Sequence, residues 1–170
     1  MTRIRQLSFA VATLFLVGAP LSAQAASKVF TAHLTGDQVV PARQTNANGQ
    51  AHFTLNQDET QLEFRLTVSN IENVIGANLY VGAPGENGTI VATIFGPVAP
   101  GGGKTTGVLA KGTITAANLV GSLAGRPMSD LTSAIRAGNT YVSVLTDDGQ
   151  GASDQKPGDF ASGEIRGQIR

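Results

Sequence analysis

Apolar and polar side chains alternate in short runs along most of this 170-residue chain. Phe30, Ala32 and Leu34 form one such run, and similar runs occupy 51–55 and 62–68. Successive side chains of a β-strand point to opposite faces, so a spacing of two places every apolar residue of a run on one side. The pattern therefore predicts strands with one buried face and one outward face.

Turn-forming residues separate the runs and set the number of strands. The polar link 56–60 is short enough to predict a hairpin, and Gly- and Pro-rich stretches follow at 84–88 and 97–103. Seven or eight short strands separated by such turns predict an all-β fold, either an antiparallel β-sandwich or a barrel. The predicted strands cover 30–35, 51–55, 62–68, 76–82, 89–95, 107–114, 140–146 and 164–169.

Little of the chain has the pattern of a helix, and we expect one or two short helices. Thr115 is a suitable N-cap residue for the first, and Ser129 for a second that runs to Ala137. Gly138 then provides the C-terminal stop, because glycine readily adopts the left-handed conformation that ends many helices.

The first 25 residues have a composition of their own. Arg3 and Arg5 precede an uncharged apolar run over 7–19, and small residues stand at Ala23 and Ala25. This pattern is typical of a cleavable signal peptide, whose peptidase accepts only small side chains at those two positions. The apolar run is shorter than the roughly 20 residues that a membrane-spanning helix needs. We therefore predict cleavage after Ala25.

The mature chain predicted in this way, 26–170, has the size of one domain. We expect it to be secreted, either periplasmic or fully extracellular, without membrane insertion after signal cleavage. Loss of Arg3 and Arg5 leaves two more acidic than basic side chains, so nucleic acid is not expected as a partner. The chain has no cysteine, which excludes disulfides, thiolate catalysis and zinc–sulfur sites.

Six local patterns occur in order along the mature chain. The most specific are Gly-Ala-Pro-Gly-Glu-Asn-Gly at 82–88 and Gly-Glu-Ile-Arg-Gly-Gln-Ile at 163–169. The others lie at 30–41, 49–53, 112–115 and 137–142. Together they resemble the CHRD domain, a module named after chordin and widespread in secreted bacterial proteins. The resemblance implies an extracellular, immunoglobulin-like β-sandwich, but the bacterial members have no generally assigned activity, so it implies no particular function.

One departure from the family pattern bears on chemistry. Members commonly carry a His-x-His strand just before the glycine-rich turn and a further histidine in a late strand. The resemblance places these positions at Asn78, Tyr80 and Leu145 of this chain. Alternation puts Asn78 and Tyr80 on one face of their strand. Imidazole is a good ligand for zinc, copper and iron, whereas these three side chains are poor replacements, so we predict that metal or redox chemistry is absent here.

His33 and His52 are the only histidines, and both fall on the polar face of their strands. Two imidazoles without a third ligand make a weak metal site, so we interpret them as solvent-facing sheet residues. An acidic, glycine-bearing loop is a better candidate for an inorganic ligand, because carboxylate oxygens suit calcium. It lacks the EF-hand spacing, and a solvated loop is the alternative interpretation. Its acidic residues are Asp147, Asp148, Asp154 and Asp159.

Glu164 and Arg166 share one face of the last predicted strand. A general acid with an electrostatic partner is one interpretation, but no second carboxylate or nucleophile stands beside them in the sequence. We favour a structural role, in which an ion pair or a hydrogen-bond network holds the closing strand. Gly167 indicates a bulge or the close approach of another backbone segment.

No residue pattern predicts a catalytic site or a cofactor. We therefore predict a secreted, non-enzymatic module that binds a protein or an extracellular matrix component, or that has a structural role at the cell envelope. Its long connections, 97–105 and 147–162, are the expected contact regions, since loops on a rigid framework commonly carry recognition. A calcium-assisted binding domain and a metal-dependent enzyme are the alternatives.

Overall fold

The computed structural model describes residues 28–170, so the signal peptide predicted over 1–25 lies outside the described residues. Eight strands, one α-helix and three short 3₁₀ turns make up this part of the chain, which confirms the all-β prediction. The strands are β1 (Val29–Thr35), β2 (Asn48–Leu55), β3 (Gln61–Glu72), β4 (Val74–Val81), β5 (Thr89–Phe95), β6 (Lys104–Thr115), β7 (Thr140–Thr146) and β8 (Ile165–Gln168).

All eight strands belong to one antiparallel sheet, in the order β5-β4-β7-β8-β1-β2-β3-β6. The sheet curls until its edge strands, β5 and β6, come near each other, although no ladder joins them within the described residues. Of the two architectures that the sequence left open, the structure is therefore the barrel, and it is nearly closed. The short strand β8 lies between β7 and β1, where it joins the two halves of the sheet.

The interior of the barrel is filled by the apolar residues of the alternating pattern. Phe53, Leu66, Leu79 and Ile165 come from four different strands, and all four are fully buried. Burial of a side chain of this size stabilises a fold by roughly 1.5–3 kcal/mol. Since the chain has no cysteine, its stability depends on this packing and on the hydrogen bonds of the sheet.

The first predicted helix is a 3₁₀ turn at Ala116–Asn118, and Thr115 is its N-cap residue as expected. The Asn118 carboxamide oxygen accepts hydrogen bonds from the Thr115 amide at 2.8 Å and from the Thr115 hydroxyl at 2.9 Å. The other 3₁₀ turns are Gly36–Gln38 and Gly121–Leu123.

The α-helix, α1, covers Met128–Arg136 and begins one residue before Ser129, so the prediction of Ser129 as its N-cap residue is wrong. Met128 is buried and stands three positions before the buried Leu131, which places both on the apolar side of the helix. The predicted stop is confirmed, because Gly138 has a φ of +70° and its N–H caps the last turn. Within the described residues, no helix is long and apolar enough to cross a membrane.

Connections alternate between the two ends of the barrel, because neighbouring strands run antiparallel. Four connections meet at one end, which we call the loop end: 36–47, the single residue Asn73, 96–103 and 147–164. The opposite end carries the β2–β3 hairpin link, turn 82–88 and the segment that contains α1. The two long connections predicted to contact a partner therefore lie at the same end of the molecule.

Candidate functional site

The three positions where the family resemblance implies histidine lie together on the outer face of β4 and β7. In the register of these strands Tyr80 pairs with Tyr141, and Asn78 pairs with Ser143. Leu145 follows at the next outward position of β7. Asn78, Tyr80 and Leu145 are all half-buried. The structure thus brings Asn78, Tyr80 and Leu145 onto one surface, which continues across β7 onto β8.

A stack of three side chains crosses this surface. The rings of Tyr80 and Tyr141 are parallel within 2°, and their centroids are 4.7 Å apart. The guanidinium carbon of Arg166 lies 3.5 Å from the centroid of the Tyr141 ring. Since β7 runs between β4 and β8, the Tyr141 ring is held between the Tyr80 ring and the Arg166 guanidinium. Cation–π contacts are strongest where water is excluded, and Arg166 is only 3% exposed.

Turn 82–88 folds over this stack and supplies hydrogen-bond partners for its polar atoms. Arg166 donates from Nη1 to the carbonyl oxygen of Glu86 at 2.8 Å and from Nη2 to that of Ala83 at 3.0 Å. The last glycine of the turn donates its N–H to the Tyr141 hydroxyl oxygen at 3.0 Å. The two most specific patterns of the sequence, the glycine-rich turn and the closing strand, therefore meet at this surface.

Burial determines how the stack can act chemically. Loss of hydration raises the pKa of Tyr80, so its phenol stays neutral at physiological pH. Burial also lowers the pKa of Arg166, but arginine remains charged in proteins. Among the described residues the guanidinium makes no salt bridge, and carbonyl oxygens and the Tyr141 ring face surround it instead. A neutral phenol and a fully engaged guanidinium supply neither a strong nucleophile nor a general base.

Glu164 directly precedes β8 and is only 1% exposed. Its Oε1 accepts a hydrogen bond from the Thr45 hydroxyl at 2.5 Å. Its Oε2 accepts from the Thr146 hydroxyl at 2.8 Å and from the Gly158 N–H at 2.9 Å. Within the part of the chain that the structure describes, Glu164 forms no salt bridge with Arg166, whose guanidinium bonds to turn 82–88. Of the two structural roles considered from the sequence, the contacts match the hydrogen-bond network.

Three of the four acidic residues of the candidate calcium loop come together. Single carboxylate oxygens of Asp147, Asp148 and Asp159 all lie within 4.8 Å of one another. Asp154 instead binds the Lys156 ammonium at 2.5 Å, and this hydrogen bond lowers the pKa of its carboxyl. Calcium usually takes six to eight oxygen ligands, so three carboxylates would form one side of a site, completed by backbone oxygens or water.

The two histidines occupy the outer face of the neighbouring strands β1 and β2. His52 pairs with Thr31, and His33 pairs with Gln50, so the imidazoles are diagonal neighbours and not direct partners. Both side chains are exposed. Their interpretation as solvent-facing sheet residues is confirmed.

Asn73 connects two segments of the loop end by hydrogen bonds. Its backbone N–H donates to the Gly103 carbonyl oxygen at 2.8 Å, and its side-chain oxygen accepts from the Gly103 N–H at 2.9 Å. Its own carbonyl oxygen accepts from the Asp147 N–H at 2.9 Å, and its Nδ2 donates to the Gly158 carbonyl oxygen at 3.3 Å. One residue thus joins the two long connections.

Arg43 attaches a third connection to the same assembly. Its Nη1 donates to the Gln155 side-chain oxygen at 2.5 Å, and its Nη2 donates to the Ser162 hydroxyl at 3.0 Å. Its guanidinium carbon lies 4.8 Å from the centroid of the Phe160 ring. The β1–β2 connection is therefore fixed to the long connection before β8.

Tyr141, Thr45 and Asn73 were not predicted from the sequence to belong to any site. Alternation does place Tyr141 on the same face as Leu145, but it carries no information on which strand lies beside β7. Asn73 follows the polar residues Asn70 and Glu72 and precedes an apolar run, and asparagine at such a place was a signal for a tight turn. Thr45 lies in a polar stretch, where nothing in the sequence distinguishes it.

The chain matches a known protein family over most of its length. The model described as the CHRD domain matches residues 30–153, which include nearly all of β1 and the whole of β2 to β7. The match ends in the connection before β8, so the closing strand lies beyond it. No curated protein matches the chain.

Proposed function

The chain belongs to the CHRD domain family, and from this premise we propose that it acts as a secreted, non-enzymatic binding module. In this proposal the barrel is a rigid support, and the loop end contacts a protein or a component of the extracellular matrix. The periplasm or the extracellular space is its site of action, and no cofactor takes part.

The joining of the long connections at the loop end is the observation that carries this proposal. Free loops lose conformational entropy when a partner orders them, and this loss weakens binding. Here Asn73 and Arg43 already fix the connections to one another through side-chain hydrogen bonds. Such a surface is preorganised, so it loses less conformational entropy when a partner binds.

The outer face of β4 and β7 supports a non-enzymatic role. Asn78, Tyr80 and Leu145 occupy the positions at which the resemblance implies metal-binding histidines. Tyr80 is engaged in the stack with Tyr141, and turn 82–88 covers that stack. These side chains favour a structural surface over a reactive one.

The binding proposal is tested by capture from the native cell envelope with paired variants as bait. Val98 lies at the loop end and Val120 at the opposite end, and each is 44% exposed. We expect Val98→Asp to reduce recovery of the captured partner at least about tenfold, as central interface positions do. Val120→Asp should leave recovery unchanged. Equal recovery with both variants would place the contact elsewhere, and no enrichment over an unrelated bait would refute the proposal.

Export is tested separately, by determining the N-terminus of the protein recovered from the producing cell. We expect the mature chain to begin at Ala26. Recovery of a chain that still begins at Met1 would contradict export.

Calcium-assisted binding is a second candidate, favoured by the approach of Asp147, Asp148 and Asp159. Three carboxylates this close repel one another, and a divalent cation would relieve the repulsion. Calorimetric titration with calcium should then give heat and a higher melting temperature, and Asp148→Asn should weaken both effects. Absence of heat and of any change in melting temperature at millimolar calcium would exclude this candidate.

A metal-dependent enzyme is the remaining alternative, and elemental analysis decides it. Under our proposal, protein purified from the periplasm contains no stoichiometric copper, iron or zinc. A stoichiometric content of one of these metals would show that the substituted positions Asn78, Tyr80 and Leu145 do not abolish metal binding.

A further inference from the structure

A cavity of about 650 Å³ opens at the loop end. It lies between the β1–β2 connection, the ends of β3 and β6 that meet there, and the connection before β8. Its lining is polar and includes one buried carboxylate, that of Glu164. Ligand sites are concave and owe their specificity to a few precisely placed polar or charged groups, and this cavity has such groups.

Glu164 brings a negative charge to this cavity without a countercharge. Its three hydrogen-bond donors, the hydroxyls of Thr45 and Thr146 and the N–H of Gly158, are all neutral. None of the salt bridges within residues 28–170 involves Glu164. Because Glu164 is only 1% exposed, its charge acts on the cavity through its electric field and not through direct contact with a ligand.

Two carboxamides add further acceptors to the cavity lining. Asn46 and Asn70 both line the cavity, and their hydrogen bonds within the described residues are made by backbone atoms. Their side-chain oxygens are therefore available, and both residues are exposed. An ammonium group has three N–H donors and no acceptor, so it can bond to these oxygens while the negative field of Glu164 favours its charge. A guanidinium is matched best by an accessible carboxylate that accepts two parallel hydrogen bonds, and the buried Glu164, whose Oε2 already accepts two, does not present one.

The surroundings of the cavity are acidic. Glu72 and Lys104 form a salt bridge at its rim, 3.6 Å long, and Lys104 is the one cation in the lining. The end of β3 and the segments 96–104 and 147–164 together carry six acidic and two basic residues. A surface of one sign attracts partners of the opposite sign and speeds their association.

We propose that this cavity binds a primary ammonium group, presented by a lysine side chain of the partner. The inference rests on the proposed function and specifies the chemistry that the loop end recognises. A free alkylamine carries the same group, so the two sources are compared directly in the test.

The test is an NMR titration of the ¹⁵N-labelled protein with three small probes. N-acetyl-lysine-methylamide carries the ammonium group on a peptide unit, butylammonium carries it alone, and N-acetyl-norleucine-methylamide has the same stem without charge. We expect saturable shifts of the Thr45, Asn70 and Gly158 amides with both cationic probes. The norleucine probe should give none. Tighter binding of the lysine probe than of butylammonium would identify the peptide-borne group as the preferred source.

Three variants separate binding from a structural role. Glu164→Gln should weaken binding of the lysine probe at least about tenfold, because it removes the central charge. Lys104→Ser removes the exposed competing cation and should strengthen binding about threefold, while Lys111→Ser, also exposed on β6, should not. Since Lys104 is exposed, its variant is informative even if Glu164→Gln fails to fold.

The two proposals fail in different ways. Shifts that are equal for the lysine and norleucine probes, or unaffected by Lys104→Ser, would overturn the ammonium site. A captured partner that is lost with Val98→Asp but fully retained with Glu164→Gln would also overturn it, while binding at the loop end would stand. Probe binding as expected without any captured partner would support the site and refute the proposed function.

Discussion

Arg166 is a buried cation whose partners are carbonyl oxygens and a ring face. The planar guanidinium reaches Glu86 and Ala83 at the same time while it lies flat on Tyr141. A lysine ammonium keeps the charge but has neither this planar shape nor two separate nitrogens that reach both carbonyl oxygens. We expect Arg166→Lys to lower the free energy of unfolding by about 1–3 kcal/mol, because at least one partly buried carbonyl oxygen loses its donor.

Urea denaturation of paired variants measures this effect. Arg65 is exposed on the outer face of β3, so Arg65→Lys should change the unfolding free energy by less than about 0.5 kcal/mol. If Arg166→Lys were as stable as the unchanged protein, charge alone would account for the role of Arg166, and the geometric argument would be wrong.

Gly88 closes turn 82–88 at a place where no side chain fits. A Cβ atom at this position would overlap the carbonyl oxygen of Val81, a backbone atom that cannot move aside. We expect Gly88→Ala to cost about 3 kcal/mol or more, in the upper range for single substitutions. Gly102→Ala is the control, because a Cβ there has no neighbour within 4 Å, and thermal unfolding of both variants provides the comparison. Equal melting temperatures would contradict the close contact between Gly88 and the end of β4.

Single residues were predictable from sequence where local chemistry decides their role. Gly167 was expected to allow a close backbone approach, and a Cβ there would lie 2.6 Å from the His33 carbonyl oxygen. Ser129 was assigned as a helix cap on composition alone, but burial of Met128 sets the start of α1 instead. The stack of Tyr80 and Tyr141 was not predictable, because it depends on which strands are neighbours.

At the scale of elements, one ion pair joins the β2–β3 hairpin to α1. Arg136 donates to both carboxylate oxygens of Glu59, at 3.0 and 2.7 Å, and these hydrogen bonds lower the pKa of Glu59 below its ordinary value of 4.5. A carboxyl whose pKa is lower in the folded state adds stability above pH 4.5, and this contribution is lost as the pH falls through the lowered pKa. We expect Arg136→Gln to be less stable than the unchanged protein at pH 7 and equally stable at acidic pH.

Two measurements check this expectation. A ¹³C titration should show the pKa of the Glu59 carboxyl rising towards 4.5 in Arg136→Gln. Chemical denaturation at several pH values should show the stability difference vanish below that range. Glu63→Gln, on the outer face of β3, controls for the loss of an exposed carboxylate. A difference that persisted at low pH would mean that Arg136 acts through packing and not through this pair.

The positions of the strands along the chain were largely predictable from the sequence, but the order of the strands in the sheet was not. All eight predicted strands are present, because a period of two is a local property of the chain. The sheet order places β6 beside β3 and β8 between β7 and β1, and such pairings depend on long-range contacts. For the same reason the sequence left sandwich and barrel open, and it did not show that Glu164 and Lys104 line one cavity.

At the scale of the whole molecule, β8 joins the two halves of the sheet into one barrel. One half of the sheet is β5-β4-β7 and the other is β1-β2-β3-β6, with β8 between them. Ile165 and Ile169 are fully buried in the core, while Arg166 and Gln168 are buried on the outer side under turn 82–88. This short segment thus contributes to both faces of the sheet at its junction.

Removal of the last strand should therefore prevent folding, and restoring it as a separate peptide should reverse the effect. Loss of a large buried aliphatic side chain costs about 2–5 kcal/mol, and two such losses are comparable with the 5–15 kcal/mol that typically stabilises a domain. A chain ending at residue 162 should lack a cooperative unfolding transition. Addition of a peptide covering 163–170 should restore the transition in a concentration-dependent manner, whereas the same peptide with Ile165→Asp should not. A cooperative transition of the shortened chain alone would show that its two halves already close without β8.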